Sequence, residues 1–269
     1  MTATNSVAER TGNVSAGTSI FAMAVLEQDL SRVHEEIDLV TTPSGKPVAM
    51  VHCNNCTNEI NAWANLIQDA AGMLGASGDK NAVFTHLFEI AGQGEPDCGG
   101  LVVYNYLSGE PVSGFEAGRP MFVRSPDSRF TLANFMRAQL YSACATLKMG
   151  MDILLEQEQV RLDCLNCHGG FFKTPLVGQK IMSAAMNTQT AVMETAGEGG
   201  AWGCALLAAY LYEKQEGQSL EEYLDRTVFC GNQGERIEPD TEDVQGFGQF
   251  MERYTAGLEV QRSAVSHIK

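Results

Sequence analysis

The sequence predicts an α/β fold, and three observations carry that prediction. Short apolar runs separated by turn residues fill positions 10–53 and indicate paired strands. Apolar side chains recur at helical spacing along 58–74, 80–91 and 131–157. From 162 to 203 the order strand, glycine turn, helix occurs twice, as in proteins whose strands alternate with helices.

The first elements form a hairpin. Positions 13–16 and 20–26 are predicted strands, and Gly17-Thr18-Ser19 is the turn between them. The later elements, in chain order, are strands 35–42 and 47–53, helices 58–74 and 80–91, strand 101–104, a long loop 108–128, helix 131–157, strand 163–168, helix 174–186, strand 190–194, and helices from 201, at 219–227 and at 242–267. The loop over 108–128 is long enough to suggest a functional role.

We predict a single domain over 1–269, because no repeat, low-complexity segment or linker divides the chain. Antiparallel hairpins occupy 1–56, the helices and strands of the core occupy 57–230, and a helical extension occupies 231–269. The composition, with 44% hydrophobic and 19% charged residues, is typical of a folded protein.

The chain is strongly acidic, since 33 Asp and Glu against 18 Lys and Arg give a formal net charge of −15. Such a surface repels nucleic acid and anionic membranes, so neither is an expected partner. A small anion can still bind where backbone N–H groups and Mg²⁺ supply a local positive field. Positions 1–6 lack the basic and apolar regions of a secretion signal, and a cytoplasmic location is therefore expected.

Two of the cysteine pairs have C-x-x-C spacing, Cys53 with Cys56 and Cys164 with Cys167. The second pair is followed by His168, which completes the haem-attachment pattern, but covalent haem attachment requires export. The four thiols with neighbouring histidines offer a zinc site, although the pairs are farther apart than in ribbon-type sites. We interpret these cysteines as buried small residues at strand ends. A cysteine-based zinc or redox protein is kept as an alternative.

Glycine turns that follow strands suggest a nucleotide site. Gly169-Gly170 and Gly199-Gly200 each follow a predicted strand and open a predicted helix, where backbone N–H groups can approach a phosphate. Gly17-Thr18-Ser19 fits either an ordinary hairpin turn or a phosphate-binding turn. The dinucleotide and P-loop fingerprints are absent, and no catalytic carboxylate is identified by its spacing.

Four motifs follow one another in a recognisable order. They are Gly12-Asn13-Val14-Ser15-Ala16-Gly17-Thr18-Ser19, Arg137-Ala138, His168-Gly169-Gly170-Phe171-Phe172-Lys173-Thr174-Pro175-Leu176 and Glu198-Gly199-Gly200-Ala201-Trp202-Gly203-Cys204-Ala205. Together they resemble the C-terminal, nucleotide-binding domain of FGGY-family carbohydrate kinases, over positions 2–227. The resemblance implies the actin-like ATPase (ribonuclease H-like) fold, a mixed five-stranded sheet flanked by helices.

The resemblance also implies a ligand and a set of contacts. In the family, ATP lies between two domains and its γ-phosphoryl passes to a sugar or polyol hydroxyl, as in xylulose, ribulose and glycerol kinases. By resemblance, Gly17-Thr18-Ser19 would contact the β- and γ-phosphates of ATP–Mg²⁺. Gly169-Gly170-Phe171 would approach the α-phosphate and the adenosine, and Gln179 would lie beside the adenine.

The sequence departs from the family pattern in several ways. By the resemblance, we expect the sugar-binding N-terminal domain to be absent from this chain and the catalytic Asp to lie upstream of Met1, so no catalytic residue is expected within the chain. We therefore expect the ATP-binding half of a kinase, inactive alone, whose exposed interdomain face favours a homodimer. His168 replaces the usual glycine, and Phe171-Phe172 is bulky for a nucleotide-facing turn. A non-catalytic interaction domain on the same fold is the second alternative.

Overall fold

Seven strands form one mixed sheet in the computed structural model, which describes residues 1–76, 78–193, 199–232 and 234–269. In sheet order the strands are β3 (Asp38–Thr41), β4 (Pro47–Cys53), β2 (Ile20–Val25), β1 (Thr11–Ala16), β7 (Cys164–His168), β8 (Thr190–Val192) and β9 (Glu235–Ile237). β1, β7 and β8 are parallel, and the other neighbours are antiparallel. A separate antiparallel pair consists of β5 (Val102–Tyr104) and β6 (Met121–Val123).

The mixed sheet confirms the predicted fold class, but it has two strands more than the five that the resemblance implied. The additional strands, β3 and β9, lie at the two edges. β3 shortens the predicted 35–42 strand and is exposed along its whole length. β9 falls in the segment predicted as a helical extension. It forms because pairing Ile237 with Thr190 satisfies the outer edge of β8, which would otherwise leave backbone groups unpaired.

Eight α-helices flank the sheet in the described ranges. They are α1 (Asn58–Met73), α2 (Lys80–Ala91), α3 (Leu132–Asp152), α4 (Val177–Met186), α5 (Gly199–Glu213), α6 (Leu220–Tyr223), α7 (Thr241–Ala256) and α8 (Leu258–His267). None of them is long and apolar enough to span a bilayer.

The central helix of the core is α3. It begins as the sequence predicts, because the Thr131 hydroxyl accepts a hydrogen bond from the Asn134 N–H at 3.1 Å. Leu140, Leu147 and Met151 of its apolar stripe are completely buried, whereas Leu132 at its first turn is exposed. Close contact with β4 depends on Gly150, where a Cβ would lie 2.3 Å from a methyl group of Val51. The helix therefore covers one face of the sheet.

The single helix predicted over 242–267 is wrong in one respect, because the segment forms two helices that meet at Gly257. A Cβ on Gly257 would lie 2.1 Å from the hydroxyl oxygen of Tyr104. The same hydroxyl donates a hydrogen bond to the Tyr254 carbonyl at 2.8 Å. The buried tyrosine thus takes up the space and satisfies a carbonyl where α7 ends.

A second, smaller hydrophobic cluster lies around α5, α6 and the N-terminal segment. Its buried members are Val7, Met193, Leu206, Leu220, Tyr223, Leu224 and Phe229. A capping box begins α6, since Ser219 and Glu222 exchange side-chain to backbone hydrogen bonds.

Candidate functional site

The parallel pairing of β1 and β7 brings two glycine turns together at the carboxyl ends of these strands. Ser15 is paired with His168, so both strands end side by side, with Gly17 after β1 and Gly169 after β7. Crevices at the carboxyl ends of parallel strands are where open α/β sheets bind ligands. The backbones are in close contact, because a Cβ on Gly169 would lie 2.4 Å from the Ala16 carbonyl oxygen.

The turn Gly17-Thr18-Ser19 is fixed through its carbonyl groups. Thr57 donates to the Gly17 carbonyl from its N–H at 3.1 Å and from its hydroxyl at 2.7 Å. The Cys56 N–H donates to the Thr18 carbonyl at 3.1 Å. Among the hydrogen bonds of the described residues, the N–H and hydroxyl groups of Thr18 and Ser19 have no acceptor. The turn therefore keeps unengaged donors, as anion-binding turns do.

A cavity of about 520 Å³ is connected to this turn through Thr57, which lines the cavity and donates its hydroxyl hydrogen bond to the Gly17 carbonyl; the three turn residues themselves do not line it. Its volume is that of a small-molecule site. Lys80 and Lys173 line it together with Phe84 and Gly170, and no acidic side chain of the described residues does. In a chain with a net charge of −15, this cavity is locally cationic and suits an anionic ligand with an apolar part.

The turn after β7 combines an open glycine with a buried aromatic ring. A Cβ on Gly170 would meet no atom within 4 Å. Phe171 is fully buried, and its ring packs edge-on against Phe88 and Phe172 at centroid distances of 5.9 and 5.3 Å. The core therefore accommodates the bulk that the sequence places at this turn, and Phe171 does not line the cavity.

Gln179 lies on α4 and is engaged within the fold. It is buried, and its side-chain amide donates to the Thr190 carbonyl at 3.1 Å and to the Glu235 carbonyl at 2.7 Å. These bonds tie α4 to β8 and β9. Gln179 does not line the cavity beside Gly170, so its placement gives no support to the predicted contact with an adenine.

The second glycine turn of the sequence analysis lies partly outside the described residues, which exclude 194–198 and therefore Gly197 and Glu198. Gly199 and Gly200 open α5, as predicted. A Cβ on Gly199 would lie 3.7 Å from the His168 ring, so α5 begins beside the end of β7. Burial lowers the pKa of His168, which keeps the imidazole neutral at pH 7.

The eight cysteines, all within the described ranges, are free thiols. Cys164 and Cys167 lie three residues apart in one strand and therefore point to opposite faces of the sheet. Burial raises the pKa of both thiols, and the protonated thiol is a poor nucleophile and metal ligand. In the part of the chain that the structure describes, no three His, Cys, Asp or Glu side chains are grouped as a metal site requires. The geometry gives no support to the zinc or redox alternative.

The sequence analysis missed most of the residues that line the cavity, among them Lys80 and Phe84. Lys80 and Phe84 lie in the first turns of α2, which Asp79 caps by accepting the Asn81 N–H at 3.1 Å. Their sequence pattern indicates only an amphipathic helix, and the packing of α2 beside the turn after β7 brings them into the cavity. Lys173, in contrast, belongs to a motif that the sequence analysis had quoted.

The sheet, its crevice and the flanking helices define an actin-like ATPase domain. The chain belongs to the FGGY family of carbohydrate kinases, since the model of the family's C-terminal domain matches residues 12–212. The members of this family are ATP-dependent phosphotransferases.

Similar proteins are about twice as long as this chain. The xylulose kinase of Haemophilus influenzae is 23% identical over 255 residues, which cover 95% of this chain and 48% of that protein. The crystal structure of xylulose kinase from Rhodospirillum rubrum matches with a TM-score of 0.75 at 16% identity, over 96% of this chain and 49% of its own. Plasmodium falciparum glycerol kinase with ADP matches with a TM-score of 0.71 at 14% identity, over 97% and 49%. The chain thus spans about half the length of these relatives.

Proposed function

We propose that this chain is the ATP-binding half of a carbohydrate kinase and that it binds ATP–Mg²⁺ in the crevice between β1 and β7. The observation that carries the proposal is the meeting of two glycine turns beside a cavity that holds two lysines. Because the family uses ATP, its membership supports the same ligand here. The negative charge of a triphosphate complements the cationic lining of the cavity.

The proposed contacts follow from the unengaged groups of the site. The N–H and hydroxyl groups of Thr18 and Ser19 donate to the β- and γ-phosphates, and the backbone of Gly169-Gly170-Phe171 approaches the α-phosphate and the adenosine. The fit of a nucleotide is supported by Gly17 and Gly170, where a Cβ would meet no atom within 4 Å. Both positions leave space open at the crevice. Gln179 is not part of this proposal, because its amide is already engaged.

Phosphoryl transfer depends mostly on positioning and on neutralising charge. In the proposal the turn after β1 holds the terminal phosphates, and Lys80 and Lys173 neutralise part of their charge. Mg²⁺, when bound with the nucleotide, would neutralise a further part of the phosphate charge. No carboxylate lines the cavity among the described residues, so we assign the general base and the sugar contacts to a part of the kinase outside these 269 residues.

The proposed acceptor is a sugar or polyol of the kind that xylulose, ribulose and glycerol kinases use. We expect the chain alone to bind nucleotide without phosphorylating such an acceptor. The free thiols fit a reducing compartment, which supports the cytoplasmic location. The homodimer expected from the sequence has no support in the comparisons and is left out of the proposal.

Isothermal titration of the purified chain with ATP–Mg²⁺ tests the proposal. A saturable heat with one ATP per chain is the expected result, with no turnover of xylulose, ribulose or glycerol in a coupled ADP assay. Absence of any saturable heat would favour the non-catalytic interaction domain instead. Phosphorylation of a sugar at an ordinary kinase rate would contradict the assignment of the general base to another part of the protein.

A further inference from the structure

Glu110 is a fully buried carboxylate that the proposed nucleotide contacts do not use. It belongs to the segment 108–128, which the sequence analysis had singled out as a long loop and in which the structure forms β6. Its carboxylate accepts hydrogen bonds from the Asn54 N–H at 3.3 Å, from the Asn55 N–H at 3.1 Å and from the Asn55 side-chain amide at 3.0 Å. The loop is thereby attached to the residues that follow β4.

Asn55 also accepts hydrogen bonds from the same loop. It is buried, and its side-chain carbonyl accepts the Leu107 N–H at 3.0 Å and the Ser108 N–H at 3.1 Å. The Asn105 side-chain amide donates to the Cys56 carbonyl at 3.0 Å. The segment 54–56 is therefore held from both sides by side chains and backbone of the 105–110 loop.

The last residue of this short segment and the residue that follows it also hold the turn after β1. Cys56 and Thr57 donate the three hydrogen bonds that hold the carbonyls of Thr18 and Gly17. Hydrogen bonds thus connect Glu110 to Asn55, the backbone connects Asn55 to Cys56 and Thr57, and hydrogen bonds connect these two residues to the Gly17-Thr18-Ser19 turn.

We propose that Glu110 and Asn55 are positioning residues for the phosphate-binding turn. They fix the segment 54–57, and this segment fixes the carbonyls of Gly17 and Thr18. The turn is thereby held in the conformation in which the N–H and hydroxyl groups of Thr18 and Ser19 face a phosphate. Neither side chain touches the nucleotide. The inference rests on the proposed function, because it assumes that the turn binds the phosphates of ATP.

The burial of Glu110 supports a role beyond stability. Burial raises the pKa of Glu110, and the hydrogen bonds from Asn55 and Asn54 oppose that rise. A buried carboxylate is costly to desolvate, and apolar residues of similar volume often stabilise a fold equally well. The carboxylate offers what an apolar residue lacks, an acceptor for three donors at the end of β4.

Glu110→Gln tests the proposal, with Glu158→Gln as the matched control. Each replacement puts an amide NH₂ where a carboxylate oxygen accepted a hydrogen bond. Glu158 also accepts three hydrogen bonds, two from Ser31 and one from His34. Both donors lie in the loop after β2, at the opposite end of the strands from Asn55. The two variants therefore disturb comparable networks, of which only one leads to the turn.

The first measurement is amide hydrogen exchange by NMR, which needs no nucleotide. We expect the Cys56 and Thr57 amides to exchange about tenfold faster in Glu110→Gln and to be unchanged in Glu158→Gln. If Glu110→Gln does not fold, Ser108→Ala replaces it, because it removes only a hydroxyl, which contacts the Asn55 side-chain carbonyl at 3.2 Å and the Gly109 carbonyl at 3.3 Å. Unchanged exchange at Cys56 and Thr57 in the folded variant would overturn the proposal.

The second measurement compares ATP with AMP, which lacks the phosphates assigned to the turn. Glu110→Gln is expected to weaken ATP binding about tenfold and to leave AMP binding unchanged, whereas a merely destabilised protein would lose both equally. An equal loss for both nucleotides would contradict positioning. If the wild-type chain binds neither, the proposed function fails, and the exchange rates alone decide whether Glu110 holds the turn.

Discussion

Gly169 packs directly against the backbone of Ala16, at a φ of +105° that an L-residue rarely adopts. A Cβ at this position would lie 2.4 Å from the Ala16 carbonyl oxygen. This contact joins the ends of β1 and β7 and so sets the width of the crevice between the two glycine turns. Gly170, the next residue, has open space where its side chain would be. Gly169 therefore allows the close packing of the fold, whereas Gly170 leaves open space at the candidate site.

Gly169→Ala is expected to lower the free energy of unfolding by about 2–4 kcal/mol, because backbone strain and a steric clash both add to its cost. Urea denaturation measures the change. Gly170→Ala is the control, and it should change the unfolding free energy by less than about 0.5 kcal/mol, since it meets no neighbour. Equal stabilities for the two variants would contradict the contact with Ala16.

A second pair of glycines, both within α7, should respond to alanine in opposite directions. Gly246 packs on the backbone of Pro96, where a Cβ would lie 2.2 Å from the carbonyl carbon, whereas Gly248 has open space. Gly248→Ala should raise the unfolding free energy by about 0.5–1 kcal/mol through helix propensity. Gly246→Ala should lower it by about 1–3 kcal/mol through overpacking. Thermal and urea unfolding of both variants check the signs, and stabilisation by both would show that α7 does not pack on Pro96.

Glu158 should make the protein sensitive to acid. The hydrogen bonds from His34 and then from Ser31 lower the pKa of Glu158 from 4.5 to about 2. A carboxyl whose folded pKa is depressed contributes stability that is fully present above its unfolded pKa and is lost as the pH falls through the folded one. We therefore expect stability to decline between pH 4.5 and about 2, as measured by urea unfolding at several pH values.

Glu158→Gln should remove this part of the pH dependence. Glu89, an exposed carboxylate beside His86 on α2, provides the control, and Glu89→Gln should leave the acid decline in place. A Glu158→Gln variant whose stability follows the wild-type curve throughout the acid range would show that His34 and Ser31 do not hold this carboxylate.

The first hairpin was predictable because its strands are apolar runs interrupted by small turn residues, and its observed bounds differ from the prediction by two residues or fewer. β9 could not be found in the same way. Its three residues are largely exposed and carry no alternating apolar pattern. It exists because the edge of β8 offers backbone groups and because Gln179 binds the Glu235 carbonyl. This strand therefore forms through contacts with other elements, and the local sequence pattern of 235–237 does not reveal them.

The residues of the candidate site also divide into those that a local sequence signal identifies and those that only tertiary packing brings together. Gly17, Gly169 and Gly170 were identified because glycine after a strand is a local signal of close backbone approach. Lys80 enters the cavity through packing between elements that are distant in the chain, and no local pattern marks it. Phe171 was judged bulky for a nucleotide-facing turn, yet its ring is buried against Phe88. The direction of a side chain at an irregular turn depends on tertiary packing, which the sequence does not display.

The central claim, that the crevice between β1 and β7 binds ATP, is tested most directly by titrating the ¹⁵N-labelled chain and its Gly170→Val variant with ATP–Mg²⁺. The account predicts that the amides of Gly17, Thr18, Ser19 and Gly170 shift in the wild-type chain and saturate together. It further predicts that Gly170→Val, which places a side chain in open space, folds normally but shows no such shifts, while Gly72→Ala, another open glycine located on α1, behaves as the wild type. ATP binding by Gly170→Val at wild-type affinity, or shifts confined to residues away from these two turns, would contradict it.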